Sequence, residues 1–498
     1  MADVYKNFIN GKWVEAKSGK TFKNINPANK EDVVGIFPSS DEKDVNKAVE
    51  SARKAWEMWR KVPAPKRGAI LEKACKLLID RKNEIARLMT REMGKILIET
   101  QGDIQEGIDT AFYMAGEGRR LFGQTTPSEL NDKFCMSIRI PMGVAGVISP
   151  WNFPMAIPCW KIMPALICGD TVVFKPASDA PASGAKLIEV LEEAGVPEGV
   201  VNLVHGTGKS VGTPMCNHPD INLITFTGSS QVGSEIASVC GKTLKRVSLE
   251  MGGKNAQIVM DDADLDLALE GAIWGAYGTT GQRCTATSRL ILHKKIAKEF
   301  IKMFVERASK IKIGDGLKPG TEMGPVINEG QLKKIHQYVI IGKDEDKAEL
   351  ALGGDFYTKG ECAKGFFYQP TVFIKCNRKM RIAREEIFGP VLTVIEVKDL
   401  DEAIDVLNDT NYGLSSSIYT RDVNKAFKAI REIYTGITYI NGPTIGAETH
   451  LPFGGTKHTG NGHRESGTEV LNTFSEWKTV YVDYSGKLQK AQIDTYKE

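Results

Sequence analysis

Two residues carry the sharpest chemical signal in the chain. Cys284 lies in Gly281-Gln282-Arg283-Cys284-Thr285, and it follows Glu250 of Leu249-Glu250-Met251-Gly252-Gly253 by 34 residues. A thiol beside the guanidinium of Arg283 is expected to gain thiolate character. A carboxylate in an apolar, glycine-flanked loop is raised by desolvation and can act as a general base. Together they supply the nucleophile and base of covalent catalysis at an electrophilic carbon. A third candidate is Asn152, held in Ser149-Pro150-Trp151-Asn152-Phe153-Pro154 between two prolines. Its amide can donate to a developing oxyanion, or simply cap a stiff turn. The other eight cysteines are scattered with no C-x-x-C pair, which reads as inert buried thiols in a reducing compartment.

A second group of motifs suits a nucleotide. Phe174-Lys175-Pro176-Ala177-Ser178 puts a cation and a hydroxyl at the carboxyl edge of a sheet, within reach of a ribose or phosphate. Gly206-Thr207-Gly208-Lys209-Ser210-Val211-Gly212 is neither a Walker A loop, since Leu203 stands where a glycine is needed, nor G-x-G-x-x-G, whose third glycine comes one residue late. Gly228 and Gly233 in FTGSSQVG follow an apolar run and can open a helix whose amide end attracts a pyrophosphate. His450, His458 and His463 sit among glycines without a carboxylate or cysteine at ligand spacing, so no catalytic metal is expected.

The elements that must position these residues follow from periodicity. Apolar residues recur at helical spacing over 39–60, with Ser39 and Glu42 offering a capping box, and again from Pro65 onward. The first third is therefore expected to be mostly helical after a short strand pair around 8–14. From Gly143 the short apolar runs GVAGVIS, TVVF, VVNLV, LITF and NAQIVM alternate with helix-like stretches such as 182–193. A second alternation over 261–443 carries SRLIL, GPVLTVIEV and GITYIN. Alternation of this kind implies parallel sheets flanked by helices, with ligands beyond the carboxyl ends of the strands. The lysine-rich stretch 478–497 alternates apolar and polar residues as an edge strand does.

Composition bounds the rest. At 498 residues the chain suggests about three structural units. Hydrophobic residues make up 42% and charged residues 26%, and 65 Lys plus Arg against 62 Asp plus Glu leave a net charge of +3. No field of one sign exists to recruit nucleic acid or an anionic membrane. The N-terminal residues lack an apolar signal core and no run approaches 18 apolar residues, so a cytoplasmic protein is expected.

The assembled motifs resemble the aldehyde dehydrogenase superfamily. FINGKWVEAKSGKTFKNINPA, PWNFP, FKPAS, FTGS, LEMGGK, GQRCTA, EEIFGP and PFGGTKHTGNGHRESG occur in one order over essentially the whole chain. The resemblance implies an α/β fold of two α/β domains with parallel-sheet cores plus a small β arm. It places a dinucleotide-binding domain at 1–122 and 143–251, a catalytic domain at 252–450, and bridging or oligomerisation elements at 123–142 and 470–498. Carried over by position, Cys284 becomes the nucleophile, Asn152 and the Cys284 amide the oxyanion hole, and Glu250 the base that activates water; Lys161 joins the catalytic set. Relatives that pass the acyl group to coenzyme A typically lack that glutamate, so the free acid is the expected product. Retention of Cys284, Glu250 and Asn152 together argues against a non-catalytic relative.

The same resemblance assigns Ile148, Ser149, Pro150, Trp151, Lys175, Ser178, Gly208, Gly212, Phe226, Thr227, Gly228, Ser229, Val232, Glu250, Gly252, Glu386 and Phe388 to the dinucleotide. NAD-selective relatives often carry Glu where Ser178 stands. A hydroxyl beside Lys175 can hydrogen-bond a 2′-phosphate that a carboxylate would repel, so NADP is favoured, with NAD as the alternative. Substrate walls fall on Phe153, Ile157, Trp160, Arg283, Thr285, Gly446, Ala447 and Phe453. The Gly446-Ala447 pair resembles members acting on semialdehydes with a distal carboxylate, which exposed turn amides can hold; alternatively the pair only shapes the turn. Glutamate semialdehyde (from pyrroline-5-carboxylate), aminoadipate semialdehyde, 2,5-dioxopentanoate and succinate semialdehyde are the candidate substrates, against a broad-specificity aliphatic or aromatic aldehyde dehydrogenase. A homodimer or homotetramer is implied, with 134–140 and the C-terminal strand in the interface.

Overall fold

The structure, a computed structural model, describes residues 2–494; residues 495–498 of the expected C-terminal arm lie outside the described part. Helix Glu42–Trp59 buries Val45, Ala48, Val49 and Ala52 on one face, as a 3.6-residue repeat requires. Its cap differs from expectation. Asp41 accepts from the Lys43 amide at 2.9 Å and Asp44 reaches back to the Asp41 amide at 3.2 Å. The capping box is therefore Asp41 with Asp44, because Ser39 lies too far ahead of the first turn to reach its amides. The N-terminal third also holds more strand than expected. Beyond Asn7–Ile9 and Lys12–Val14 it contains an antiparallel pair, Thr21–Asn26 with Asn29–Pro38, whose register shifts at 24–26 interrupt the alternation.

The first large sheet has seven strands in the spatial order Arg246–Glu250, Leu223–Thr227, Val144–Ile148, Thr171–Lys175, Val201–Leu203, Asn7–Ile9 and Lys12–Val14. The five strands from 144 to 250 run parallel. Successive strands after Val144–Ile148 lie first on one side of it and then, from Leu223, on the other. Strand order reverses between Val144–Ile148 and Leu223–Thr227, and a crevice opens beyond the carboxyl ends of strands at such a switch point. The loops leaving it are Ser149–Phe153 and Gly228–Ser229, both singled out by sequence.

The second sheet orders Glu349–Leu352, Thr371–Cys376, Val391–Val397, Thr287–His293, Asn255–Val259, Ser415–Tyr419 and Ile437–Ile440, parallel except at the first strand. The chain leaves the carboxyl edge of sheet one at Glu250 and enters the amino edge of sheet two at Asn255. Cys284 precedes strand Thr287–His293, so the glutamate and the thiol come from facing edges of two sheets. A third, three-stranded antiparallel sheet joins Ser475–Asp483, Lys133–Pro141 and Gln124–Pro127. Strand Ser475–Asp483 is an edge strand, as the alternation predicts, but it ends at Asp483 rather than running on through the lysines. Among the described residues no helix is long and apolar enough to cross a membrane.

A buried ion pair ties this frame to the site. Lys95 and Asp103, both with fully buried side chains, meet at 3.0 Å, and the second Asp103 oxygen accepts the Ala156 amide at 2.8 Å. The helix Ala156–Cys168 that carries Lys161 is thereby pinned to helix Leu97–Glu117. Removing one partner strands a buried charge. Asp103→Ala should cost about 3–5 kcal/mol, read as a fall in thermal midpoint. Lys95→Met/Asp103→Leu should recover most of it, and equal loss in both variants would assign the cost to packing instead.

Candidate active site

A cleft of about 170 Å³ opens at the switch point, lined by Pro150, Trp151, Asn152, Thr227, Gly228, Ser229, Met251, Gly252, Cys284, Gln331, Lys334, Glu386 and Phe388. Ten of these are residues the sequence singles out, drawn from segments more than 200 residues apart. Cys284 faces the cleft on one side. On its other side it packs against an apolar cluster of Ile157, Trp160, Leu414 and Phe453, with Phe153 and Ala447 at the margin. The thiol therefore stands where this cleft and a buried apolar cluster meet.

The turn before the cysteine is strained. Thr279 and Thr280 adopt φ of 53° and 59°, and Gly281 adopts 67°. A Cβ at Gly281 would lie 2.3 Å from the Gly389 carbonyl oxygen, so only glycine fits. Such geometry persists only when the surroundings over-determine it. Glu99 Oε1 accepts the Thr279 amide at 2.7 Å, the Thr279 hydroxyl at 3.2 Å and Arg283 Nη2 at 3.0 Å. Asn255 Nδ2 donates to the Cys284 carbonyl at 2.8 Å, and Asn152 Nδ2 donates to the Gln282 carbonyl at 3.1 Å. Asn152 thus approaches the nucleophile segment directly, with its second N–H left over.

Electrostatics correct one expectation. Arg283 is engaged by Glu99 and by the Thr279 hydroxyl at 2.9 Å and does not lower the thiol. Burial pushes Cys284 up to about 12, reinforced by the carboxylates of Glu386 and Glu250. Glu250 itself ends a strand rather than lying in a loop. Burial holds its carboxyl well above the usual range, with Glu465 adding repulsion and Lys161 and Arg464 opposing it. The side chain is directed toward Gly454, where a Cβ would come within 2.4 Å of Oε1. It does not line the cleft. Fully buried Lys161 ion-pairs with Glu465 and donates to the Thr225 hydroxyl at 3.0 Å, so Lys161, Glu465 and Glu250 form one buried charged group behind the cysteine.

The remaining nucleotide candidates spread along the edge of sheet one. Lys175 Nζ donates to the carbonyls of Pro176 and Gly206, and the Ser178 hydroxyl donates to the same Gly206 carbonyl at 3.0 Å. Burial lowers Lys175 to about 8. Gly208–Gly212 forms a helical turn capped by Thr207, and a Cβ at Gly212 would touch the Ile148 and Lys175 side chains. Ser229 caps helix Ser230–Gly241, whose first turn exposes Val232. A Cβ at Gly228 would strike the Phe226 ring at 2.4 Å. Glu386 accepts the Gly253 amide at 2.9 Å and sits against Gly252. Phe388, at φ 60°, meets the Trp151 ring edge-on at 5.5 Å. Ser149 Oγ and Thr227 Oγ1 are buried without a hydrogen-bond partner, at the ends of the two strands flanking the switch point. Thr285 offers its carbonyl to the Thr444 hydroxyl at 2.6 Å, which draws the loop carrying Gly446 and Ala447 toward the nucleophile.

Four residues of the site carry no motif in the sequence. Gln331 donates to the Ile387 and Phe388 carbonyls at 2.9 and 2.8 Å, and Lys334 joins it on the cleft wall. Their i,i+3 spacing on a polar helix face was the one available sign. Glu99 and Glu465 gave less, because a carboxylate buried by tertiary contact looks like any other in sequence. Among the described residues no cluster of His, Cys, Asp and Glu could hold a metal.

Residues 13–480 match the model of the aldehyde dehydrogenase family. The chain is 44% identical over 480 residues to an alpha-ketoglutaric semialdehyde dehydrogenase of Bacillus subtilis, covering 96% of this chain and 98% of that one. It is 41% identical to a 2,5-dioxopentanoate dehydrogenase of Saccharolobus solfataricus, covering 94% and 98%. The crystal structure of a Staphylococcus aureus betaine aldehyde dehydrogenase in complex with NAD+ superposes with a TM-score of 0.95 at 34% identity, covering 97% and 95%.

A thiol raised this far stays protonated well above neutrality. Iodoacetamide should therefore alkylate Cys284 about tenfold faster per pH unit from pH 8 to 10, with no levelling near the ordinary thiol value. Glu386→Gln removes a raising charge and should speed the reaction at fixed pH. A plateau at or below pH 9 in the unaltered enzyme would contradict the assignment.

Proposed function

The chain belongs to the aldehyde dehydrogenase family, an NAD(P)-dependent group of aldehyde oxidoreductases, and from that membership we propose that it oxidises a carboxylated semialdehyde, 2,5-dioxopentanoate foremost, to the free acid. The observation that carries the chemistry is the position of Cys284 between the cleft at the switch point and the apolar cluster, with Asn152 beside it. The names of the relatives carry the choice of aldehyde.

Cys284 Sγ gives up its proton to solvent and attacks the aldehyde carbon from the side of the apolar cluster. The second Asn152 N–H and the Cys284 amide hold the resulting alkoxide. Glu386 and Phe388 would hold a nicotinamide here, which would supply the hydride acceptor for this carbon and leave a thioester on Cys284. Glu250 turns from the Lys161–Glu465 side, where glycines leave it room, and takes a proton from the water that cleaves the thioester. Burial raises its carboxyl above the usual range, the direction that strengthens a general base. The unpaired hydroxyls of Ser149 and Thr227 and the close-packed glycines at 228 and 252 fit a dinucleotide laid along the sheet edge.

Lys175 and Ser178 would meet the adenosine ribose, and a cation with a hydroxyl there favours NADP over NAD. The amides of the Gly446–Ala447 turn, where Gly446 has φ 121° and open space around it, offer neutral donors to the distal carboxylate. Exposed Phe134, Ile138, Trp477 and Tyr481 on the third sheet support a homodimer or homotetramer. Nine free thiols support a cytoplasmic setting.

Steady-state rates with 2,5-dioxopentanoate, succinate semialdehyde and pentanal, each with NADP and NAD, test the reading. The carboxylated aldehydes should exceed pentanal in kcat/KM, and NADP should exceed NAD. Ser178→Glu should reverse the cofactor order. Asn152→Ala should lower kcat by about 10²–10³, and Glu250→Gln should slow hydrolysis while the thioester accumulates. Equal rates across the aldehydes would overturn the substrate assignment, and an NAD preference would overturn the inference from Ser178.

A further inference from the structure

Two cysteines outside the catalytic centre are held against each other beside sheet one. Cys216 lies in helix Thr213–Asn217, which continues directly from the Gly208–Gly212 turn, and Cys240 lies one residue before the end of helix Ser230–Gly241, which Ser229 opens. Their thiols hydrogen-bond to each other. Lys245 fixes the pair from the backbone side. Its amide donates to the Cys240 carbonyl at 3.1 Å, and its Nζ donates to the Cys216 carbonyl at 2.8 Å. The Thr243 amide and hydroxyl donate to the same Cys240 carbonyl at 3.1 and 3.3 Å. Both thiols are buried in one apolar cluster with Val211, Met215 and Ile236, yet each is next in sequence to an exposed residue, Asn217 or Gly241. Opening one surface turn, 241–244, is enough to reach them. They therefore depart from the inert buried thiols that their scatter in the sequence suggests. The mutual bond holds Cys240 below the ordinary thiol range, with Lys245 adding to it, and raises Cys216. Cys159 and Cys168 are instead raised by burial and by the carboxylates of Asp103 and Asp170. Thiolate, the reactive form, is thus favoured at Cys240.

Resting on the placement of the dinucleotide along this sheet edge, we propose that Cys216 and Cys240 form a redox modification site, a thiol pair that hydrogen peroxide closes to a disulfide and whose closure weakens nucleotide binding. The Cys240 thiolate attacks one peroxide oxygen and the O–O bond breaks. The departing hydroxide takes the proton that the thiol gave up, leaving a sulfenic acid and one water. Cys216 Sγ then attacks the Cys240 sulfur, the S–O bond breaks, and the released hydroxide takes the Cys216 proton as a second water. Two thiols lose two electrons and two protons, and one peroxide becomes two waters. Exchange with two equivalents of a small thiol restores both cysteines and leaves that thiol as its own disulfide. Closure shortens the sulfur–sulfur contact to about 2.05 Å, which draws helix Thr213–Asn217 onto the end of helix Ser230–Gly241. Gly212, whose open side faces Ile148 and Lys175, immediately precedes the first helix, and Ser229 caps the second. Both walls that would hold the nucleotide are therefore displaced with the sulfurs.

The enzyme is treated with hydrogen peroxide, its remaining thiols are alkylated, and it is digested without reduction for peptide mass spectrometry. The peptides containing Cys216 and Cys240 should appear joined and two hydrogens lighter than their sum. Calorimetric titration should show NADP binding the oxidised enzyme about fivefold more weakly or worse, with the affinity restored by dithiothreitol. Cys216→Ala and Cys240→Ala, oxidised in the same way, should each keep their reduced-state affinity, which separates this pair from oxidation of Cys284 in the cleft; if one variant fails to fold, the other carries the comparison. Cys216 and Cys240 recovered as alkylated thiols after Cys284 has been oxidised would overturn the site. Joined peptides with unchanged NADP affinity would overturn its hold on the nucleotide. The placement of the dinucleotide is tested separately by Gly212→Val in the reduced enzyme, which should weaken NADP binding. Unchanged affinity there overturns that placement, and the disulfide then stands or falls on the peptide masses.

Discussion

The site depends on a short stretch of backbone held where it does not relax by itself. Two threonines and a glycine in succession adopt left-handed geometry just before the cysteine, a conformation that costs on the order of 1–3 kcal/mol per non-glycine residue. Glu99, from the first turn of helix Leu97–Glu117, receives the Thr279 amide and hydroxyl and the Arg283 guanidinium on one oxygen. That carboxylate, with Asn152 and Asn255 on the following carbonyls, fixes the direction in which Cys284 leaves the backbone. Once it is fixed, the thiol faces a cleft on one side and a buried apolar cluster on the other.

The charged groups around the thiol are arranged against its ionisation. Glu386 and Glu250 both raise it, and burial raises it further. Glu250 is in turn raised by burial and by Glu465. Glu250 is thus both the proposed base and one of the charges that raise the thiol, so nucleophile and base are coupled through field as well as through space. The crossing of the chain from sheet one to sheet two between Glu250 and Asn255 makes this coupling unavoidable, since it sets the two edges face to face.

Much of this was legible in the sequence because it is local. The strands of sheet one, the loop Ser149–Phe153, the helix opened by Ser229 and the cysteine turn each follow from runs, prolines and glycines within a few residues. Contacts between distant segments were not legible. The thiolate expected from Arg283 failed because sequence adjacency says nothing about where a long side chain points, and Glu99, 184 residues away, takes that guanidinium. The hairpin Thr21–Pro38 escaped because register shifts at 24–26 break its alternation, and the cap at Asp41 because two plausible capping residues stand close together. Gln331 and Lys334 reach the cleft only through the packing of a helix that its own pattern marks as ordinary.

The central claim is that one sulfur, Cys284, bears the acyl group during turnover. Rapid acid quench of the enzyme mixed with NADP and 2,5-dioxopentanoate, followed by peptide mass spectrometry, tests it directly. The account predicts the mass of the 2-oxoglutaryl group on the peptide containing Cys284, appearing in step with a burst of reduced nucleotide of at most one equivalent per site. Reduced nucleotide formed with that peptide unmodified at every quench time, or with the acyl mass on another cysteine, would contradict it.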